Sequence, residues 1–272
     1  MMRLQLDLPE LPDCYESPSE RAAWFHRTFP SISFYARAAR VVFTAASLAK
    51  RGRYDDVAWC QSSHDILRGL ERVGVRVTIE NLNAVQAVKG PCLIVGNHMS
   101  TLETFVLPYL IAPRRAMTFV VKKGLVEYPV FKHVMLSRDP IVVGRENPRE
   151  DLKTMIQGSL DRLAAGVSIV VFPQTTRMTK FDAQHFNSIG VKIAKKAGVP
   201  VVPLALKTDA WSNGRILKDF GAVHPEREVR FAFGTPMEIE GNGNAQQARI
   251  VEHIESHLAR WSQDEEQRKA AT

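Results

Sequence analysis

The chain has 272 residues, of which 45% are hydrophobic and 24% charged, enough to bury a full core and too apolar for wholesale disorder. Its 36 Lys and Arg against 29 Asp and Glu give a formal charge of +7, which favours an acidic partner such as an anionic lipid headgroup, an acidic carrier protein or a nucleotide-bearing thioester. The basic residues are interspersed with acids and do not cluster with aromatics, which argues against a nucleic-acid partner.

Residues 1–30 are Pro-rich and acidic and read as an irregular lead-in. Asp7, Glu10, Asp13 and Glu16 stand where a secretory signal would need a cationic start and an unbroken apolar run, so no export signal is expected. Residues 31–73 read as a helical hairpin. Phe34, Ala38, Val41, Ala45 and Leu48 recur at helical spacing, as do Val57, Ile66, Leu67, Leu70 and Val73, with the basic break Arg51-Gly52-Arg53 between them. Arg37 and Arg40 interrupt the first helix, leaving an uncharged stretch well short of the roughly 20 residues that span a bilayer. Two readings of the hairpin stay open: a membrane-surface anchor, or a pair of helices packed on the main domain.

From residue 74 to 262, apolar runs alternate with helical stretches. The runs fall at 75–79, 92–95, 118–121, 140–143, 167–172, 201–206 and 229–233; the clearest helices cover 148–165, 188–197 and about 245–261. Continuous apolar strands separated by helices predict an α/β fold with a mostly parallel central sheet flanked by helices. Residues 263–272 form a polar tail. Cys14, Cys60 and Cys92 are odd in number and widely spaced, and the histidines lack ligand spacing, so neither a disulfide framework nor a metal site is expected. Glycine-rich nucleotide loops and a serine-hydrolase elbow are also missing.

The chemistry concentrates where strands end. His98 follows the run ending at Gly96-Asn97, and Glu103 lies five residues further on. Within one continuous helix that spacing would set the two about 140° apart. With His98 just outside the helix and Glu103 in its first turns, the carboxylate can fold back onto the imidazole, fix its tautomer and leave the other nitrogen free to accept a proton. Ser100-Thr101-Leu102-Glu103 equally fits a capping box, with Glu103 reaching back to a backbone N–H at the helix start. Downstream, Phe172-Pro173-Gln174-Thr175-Thr176-Arg177 also follows an apolar strand. There Arg177, with Thr175 and Thr176, reads as an anion pocket; taken alone, the segment reads as well as a polar turn. Lys123 and Arg145 lie at two further strand ends, and ends at one edge of a parallel sheet converge in space.

Taken in order, Asn97-His98 to Glu103, Lys123 through Pro129-Val130-Phe131 to Arg145, Phe172 to Arg177, and Val199-Pro200-Val201-Val202-Pro203-Leu204 resemble the signature blocks of the glycerolipid and lysophospholipid acyltransferases. The usual family forms of the first and third blocks are His-x-x-x-x-Asp and Phe-Pro-Glu-Gly-Thr-Arg; this chain has Glu103 for the aspartate and Gln174-Thr175 for Glu-Gly. The resemblance implies His98 as general base, Glu103 as its orienting carboxylate, and Lys123, Arg145 and Arg177 as ligands of the acceptor phosphate. Gln174 and Thr175, beside Thr176, would tune the choice of headgroup. It also implies no metal or bound cofactor, an acyl-CoA or acyl-carrier-protein donor, a lysolipid acceptor, and a peripheral position on the cytoplasmic face of the cell membrane. Two alternatives remain open at this point: an acceptor with an ornithine- or glycine-type headgroup, and a lipid-binding protein without turnover.

Overall fold

A computed structural model describes residues 8–18, 22–144, 146–174, 176–214 and 219–270. In chain order the elements are β1 (Tyr15–Glu16), α1 (Trp24–Thr28), α2 (Pro30–Lys50), α3 (Asp56–Arg72), β2 (Val77–Glu80), α4 (Ala84–Ala87), β3 (Leu93–Gly96) and α5 (Leu102–Ile111). They continue as β4 (Met117–Lys122), α6 (Lys123–Glu127), α7 (Lys132–Leu136), β5 (Ile141–Val143), α8 (Pro148–Ala164), β6 (Ser168–Val171), α9 (Ile189–Ala197), β7 (Val201–Lys207), β8 (Val229–Phe233) and α10 (Asn244–Ala270).

The strands form one sheet in the order β1-β2-β8-β7-β3-β6-β4-β5. β3 runs parallel to β6 and β7, β4 parallel to β5 and β6, and β2 parallel to β8; among the described residues β1 with β2 and β7 with β8 are the antiparallel strand pairs. The carboxyl ends of β3, β4, β6 and β7 therefore meet at one edge. Apolar residues fill both faces of the central strands because alternate side chains point to opposite sides. Leu93 and Val95 face a core shared with α8, α9 and α10, whereas Ile94 faces the core built by α3 and α5. Gly96 ends β3 where a side chain would not fit: a Cβ there would lie 2.8 Å from the Leu204 carbonyl oxygen of β7.

Local chemistry sets the helix ends. Asp55 caps α3 by accepting the Ala58 N–H at 2.8 Å, and Asn147 caps α8 by accepting that of Arg149 at 3.1 Å, with Pro148 opening the helix. Gly198 closes α9 at φ +66°, a left-handed turn that glycine adopts without strain.

The hairpin packs on the domain through α3, which buries Trp59, Cys60, Ile66, Leu67 and Leu70. Pro108 interrupts the hydrogen bonding of α5, and Ser63 of α3 enters the gap: its hydroxyl accepts the Tyr109 N–H and donates to the Val106 carbonyl, both at 2.9 Å. Beside α3, α2 buries Phe34, Ala38, Ala45 and Ala46, touches the domain directly where Tyr35 donates to the Gly221 carbonyl at 2.6 Å, and turns Ile32, Ala36, Ala39 and Phe43 outward as an exposed stripe at helical spacing. Among the described residues no helix is long and apolar enough to cross a membrane.

Two segments differ from the reading of the sequence. The lead-in is not irregular throughout: β1 gives the edge strand β2 a partner, and Tyr15 and Ser17 donate to the Glu71 carboxylate at 2.5 and 2.8 Å. At the other end, α10 runs through the polar tail, where Asp264 and Glu265 pair with Arg230 and Lys207 at 2.7 and 2.8 Å and Arg268 pairs with Glu228. Glu228 and Arg230 are buried, and a buried charge requires a partner, so the tail is drawn onto the sheet.

Candidate active site

His98 sits two residues beyond β3, in a loop pinned from both sides. The buried Asn97 amide continues the β3–β7 pairing past Gly96, donating to the Leu206 carbonyl at 2.8 Å and accepting its N–H at 2.9 Å. From the other side, the Gln174 side-chain oxygen accepts the His98 N–H at 2.6 Å, and the His98 carbonyl accepts the Met178 N–H at 2.9 Å. The imidazole stacks on Phe172, so backbone and ring are both held.

Glu103, in the first turn of α5, is fully buried, and its Oε1 lies 2.9 Å from His98 Nδ1. The same oxygen accepts the Met99 and Ser100 N–H groups at 2.7 and 3.0 Å. Oε2 accepts the Thr208 hydroxyl at 2.7 Å, with the Ser100 hydroxyl within 3.1 Å. Capping and imidazole contact are thus two uses of one carboxylate, since Ser100 also accepts the Leu102 N–H at 3.1 Å as a helix cap does. Burial pushes the Glu103 carboxyl up, but the bonds from His98, Thr208 and the backbone outweigh it and leave it below the usual carboxylate range. An ionised Glu103 at Nδ1 favours the tautomer with its proton there and leaves Nε2 as the free nitrogen of a side chain that is 20% exposed.

The remaining residues singled out from sequence separate. Arg177, with a side chain 15% exposed, pairs with Asp219 and hydrogen-bonds Thr101 and, at 3.2 Å, the Asn213 oxygen. Gln174 is buried and turned inward against His98, and Thr176 is exposed. Lys123 opens α6 with its side chain 56% exposed, 3.8 Å from Glu127. It is the preceding Lys122, last in β4, whose charge reaches Asp219. Arg145 and Thr175 lie outside the described residues.

Sequence reasoning missed Thr208, Asp219 and Asn213, and gave no role to Asn97, the first residue of its first block. A signal existed for Thr208, the first residue beyond β7 at the edge where β3 delivers His98; none existed for Asp219, which comes from a loop without periodicity. The site sets an imidazole against an ionised carboxylate, beside an arginine paired with a second carboxylate, a set of groups suited to deprotonating a hydroxyl.

The Acyltransferase family model matches residues 75–207. The 1-acyl-sn-glycerol-3-phosphate acyltransferase of Pseudomonas aeruginosa is 27% identical over 219 residues, 80% of this chain and 80% of that protein. A probable 1-acyl-sn-glycerol-3-phosphate acyltransferase of Mycoplasma pneumoniae is 30% identical over 171 residues, 60% of this chain and 62% of that protein. The crystal structure of the 1-acyl-sn-glycerophosphate acyltransferase PlsC from Thermotoga maritima shares the fold, with a TM-score of 0.65 at 15% identity over 88% of this chain and 97% of that one. The match over residues 75–207 and these relatives identify the chain as an O-acyltransferase similar to the glycerolipid acyltransferases.

Proposed function

We propose that this protein moves a fatty acyl group from an acyl thioester to the free hydroxyl of lysophosphatidic acid or a closely related lysophospholipid. The observation that carries the reading is the 2.9 Å contact between His98 Nδ1 and the buried Glu103 carboxylate. His98 Nε2 takes the proton of the acceptor hydroxyl as its oxygen attacks the thioester carbonyl. The resulting imidazolium is stabilised by Glu103, the tetrahedral intermediate collapses, the C–S bond breaks, and the proton passes from Nε2 to the departing thiolate. An ester bond replaces the thioester, and the base returns to its starting state. Arg177 serves the acceptor's anionic headgroup, and acyl-CoA or acyl-carrier protein supplies the acyl group.

The exposed Trp24, Phe25 and Phe29 in and just after α1, with Ile32 and Phe43 on α2, support a peripheral seat on a membrane, in this reading at its cytoplasmic face, with the hairpin's inner side on the domain. The deciding experiment offers the purified protein both thioester donors and a panel of lysophospholipids and amino-acid-headed lysolipids, with diacyl products read by mass spectrometry. The expected result is acylation of lysophosphatidic acid, reduced roughly 10²- to 10⁴-fold in His98→Ala. Transfer that survives in that variant, or no transfer to any lysophospholipid, would refute the reading.

A further inference from the structure

The Arg177 guanidinium, assigned above to the acceptor's anion, already holds one. Its Nη2 pairs with the Asp219 carboxylate, its Nη1 reaches the Thr101 hydroxyl, and that hydroxyl lies 3.2 Å from the same Asp219 oxygen. A guanidinium and a hydroxyl meeting on one anionic oxygen is also how proteins grip a phosphate oxygen. The cluster stands beside the base: Thr101 directly precedes α5, and the Asn213 amide, 3.2 Å from Arg177, donates to the carbonyl of Met99 at 3.1 Å. Half-burial pushes the Asp219 carboxyl up, yet Arg177, Lys122 and the Thr101 hydroxyl together hold it below the usual carboxylate range, so it is anionic at neutral pH.

We propose that the Asp219 carboxylate occupies the subsite of the acceptor's anionic headgroup, that Thr101, Asn213 and Lys122 belong to that subsite together with Arg177, and that an incoming phosphate must displace Asp219 to bind. This rests on the reading of the protein as a lysophospholipid acyltransferase. Asp219 is then a specificity-determining residue, a built-in competitor that an acceptor can replace only with an anionic oxygen of its own.

Steady-state kinetics with lysophosphatidic acid on the full chain test the assignment. Asp219→Asn removes the competing charge and should lower the acceptor KM about fivefold, and Thr101→Val, which deletes a headgroup donor, should raise it by about the same factor. Neither change should move the KM of the acyl thioester. An acceptor KM that is unchanged or higher in Asp219→Asn overturns the proposal, since a residue that merely orients Arg177 would weaken acceptor binding when altered. If Asp219→Asn does not fold, Thr101→Val decides alone, and an unchanged acceptor KM overturns the subsite. If the wild-type protein acylates no lysophospholipid, the functional reading fails. Titration with inorganic phosphate then tests the subsite by itself, with tighter binding by Asp219→Asn than by wild type supporting it and equal or weaker binding overturning it.

Discussion

The phenyl ring of Phe172 lies parallel to the imidazole of His98, the centroids 4.6 Å apart and the planes within 5°. The contact follows from strand pairing: His98 comes just after β3, Phe172 just after β6, and Val95 sits opposite Val171 in the parallel register. A flat ring on one side and Glu103 at Nδ1 leave the imidazole little freedom to rotate, which keeps Nε2 aimed outward. Phe172→Leu keeps an apolar side chain but not the stacking, and should lower kcat about fivefold with little change in either KM. An unchanged kcat would show that Glu103 alone orients the base.

Thr208 donates to Glu103 from the end of β7, a partner that no motif announces. Thr208→Val, nearly equal in shape, removes that donor and should cost about 1 kcal/mol of stability and a severalfold loss of kcat. Glu103→Gln should fold, because the amide nitrogen can take the Oε2 position, where the Ser100 and Thr208 hydroxyls can turn to accept from it. The amide oxygen still accepts from His98 but carries no full charge to stabilise an imidazolium, so kcat should fall about 10²-fold, for a stability loss of only about 1–2 kcal/mol. Melting curves and kcat measured on the same preparations check both, and wild-type kcat in Glu103→Gln would reduce Glu103 to a helix cap.

The pH dependence of stability has a defined sign. The folded Glu103 carboxyl lies below its ordinary value, so the unfolded chain takes up that proton first as pH falls. Its stabilisation is complete above the ordinary glutamate pKa of about 4.3 and disappears as pH drops through the lower folded value. The stability gap between wild type and Glu103→Gln should therefore be widest near neutrality and shrink in acid. A gap of constant size from neutral to acid pH would contradict a Glu103 carboxyl held below its ordinary value in the native state.

The hairpin's inner face belongs to the core, so deleting it would uncover α5; point changes at exposed apolar residues of α1 and α2 are the cleaner test of membrane contact. Trp24, Phe25 and Phe43 are 77%, 49% and 64% exposed. Changing all three to Ser should leave the melting temperature nearly unchanged and cut co-sedimentation with anionic vesicles about tenfold or more. Co-sedimentation equal to wild type would place the lipid contact elsewhere.

By itself the sequence determined the α/β plan and the helical hairpin, and it set Glu103 within reach of both His98 and the backbone at a strand-to-helix junction. Each follows from a local cause: unbroken apolar runs demand strands covered on both faces, helical spacing demands an apolar stripe, and a five-residue separation works only where a helix begins. The tertiary structure alone decided that β6 lies next to β3 and so sets Phe172 against His98. It also turned Gln174 inward, brought Lys122 into range of the Asp219 carboxylate, and gathered Thr208 and Asp219 from distant segments around Glu103 and Arg177. Periodicity records which face of an element is apolar, but the lateral order of strands and the direction of a side chain in the loop beyond a strand depend on long-range packing, which leaves no repeating pattern in the chain.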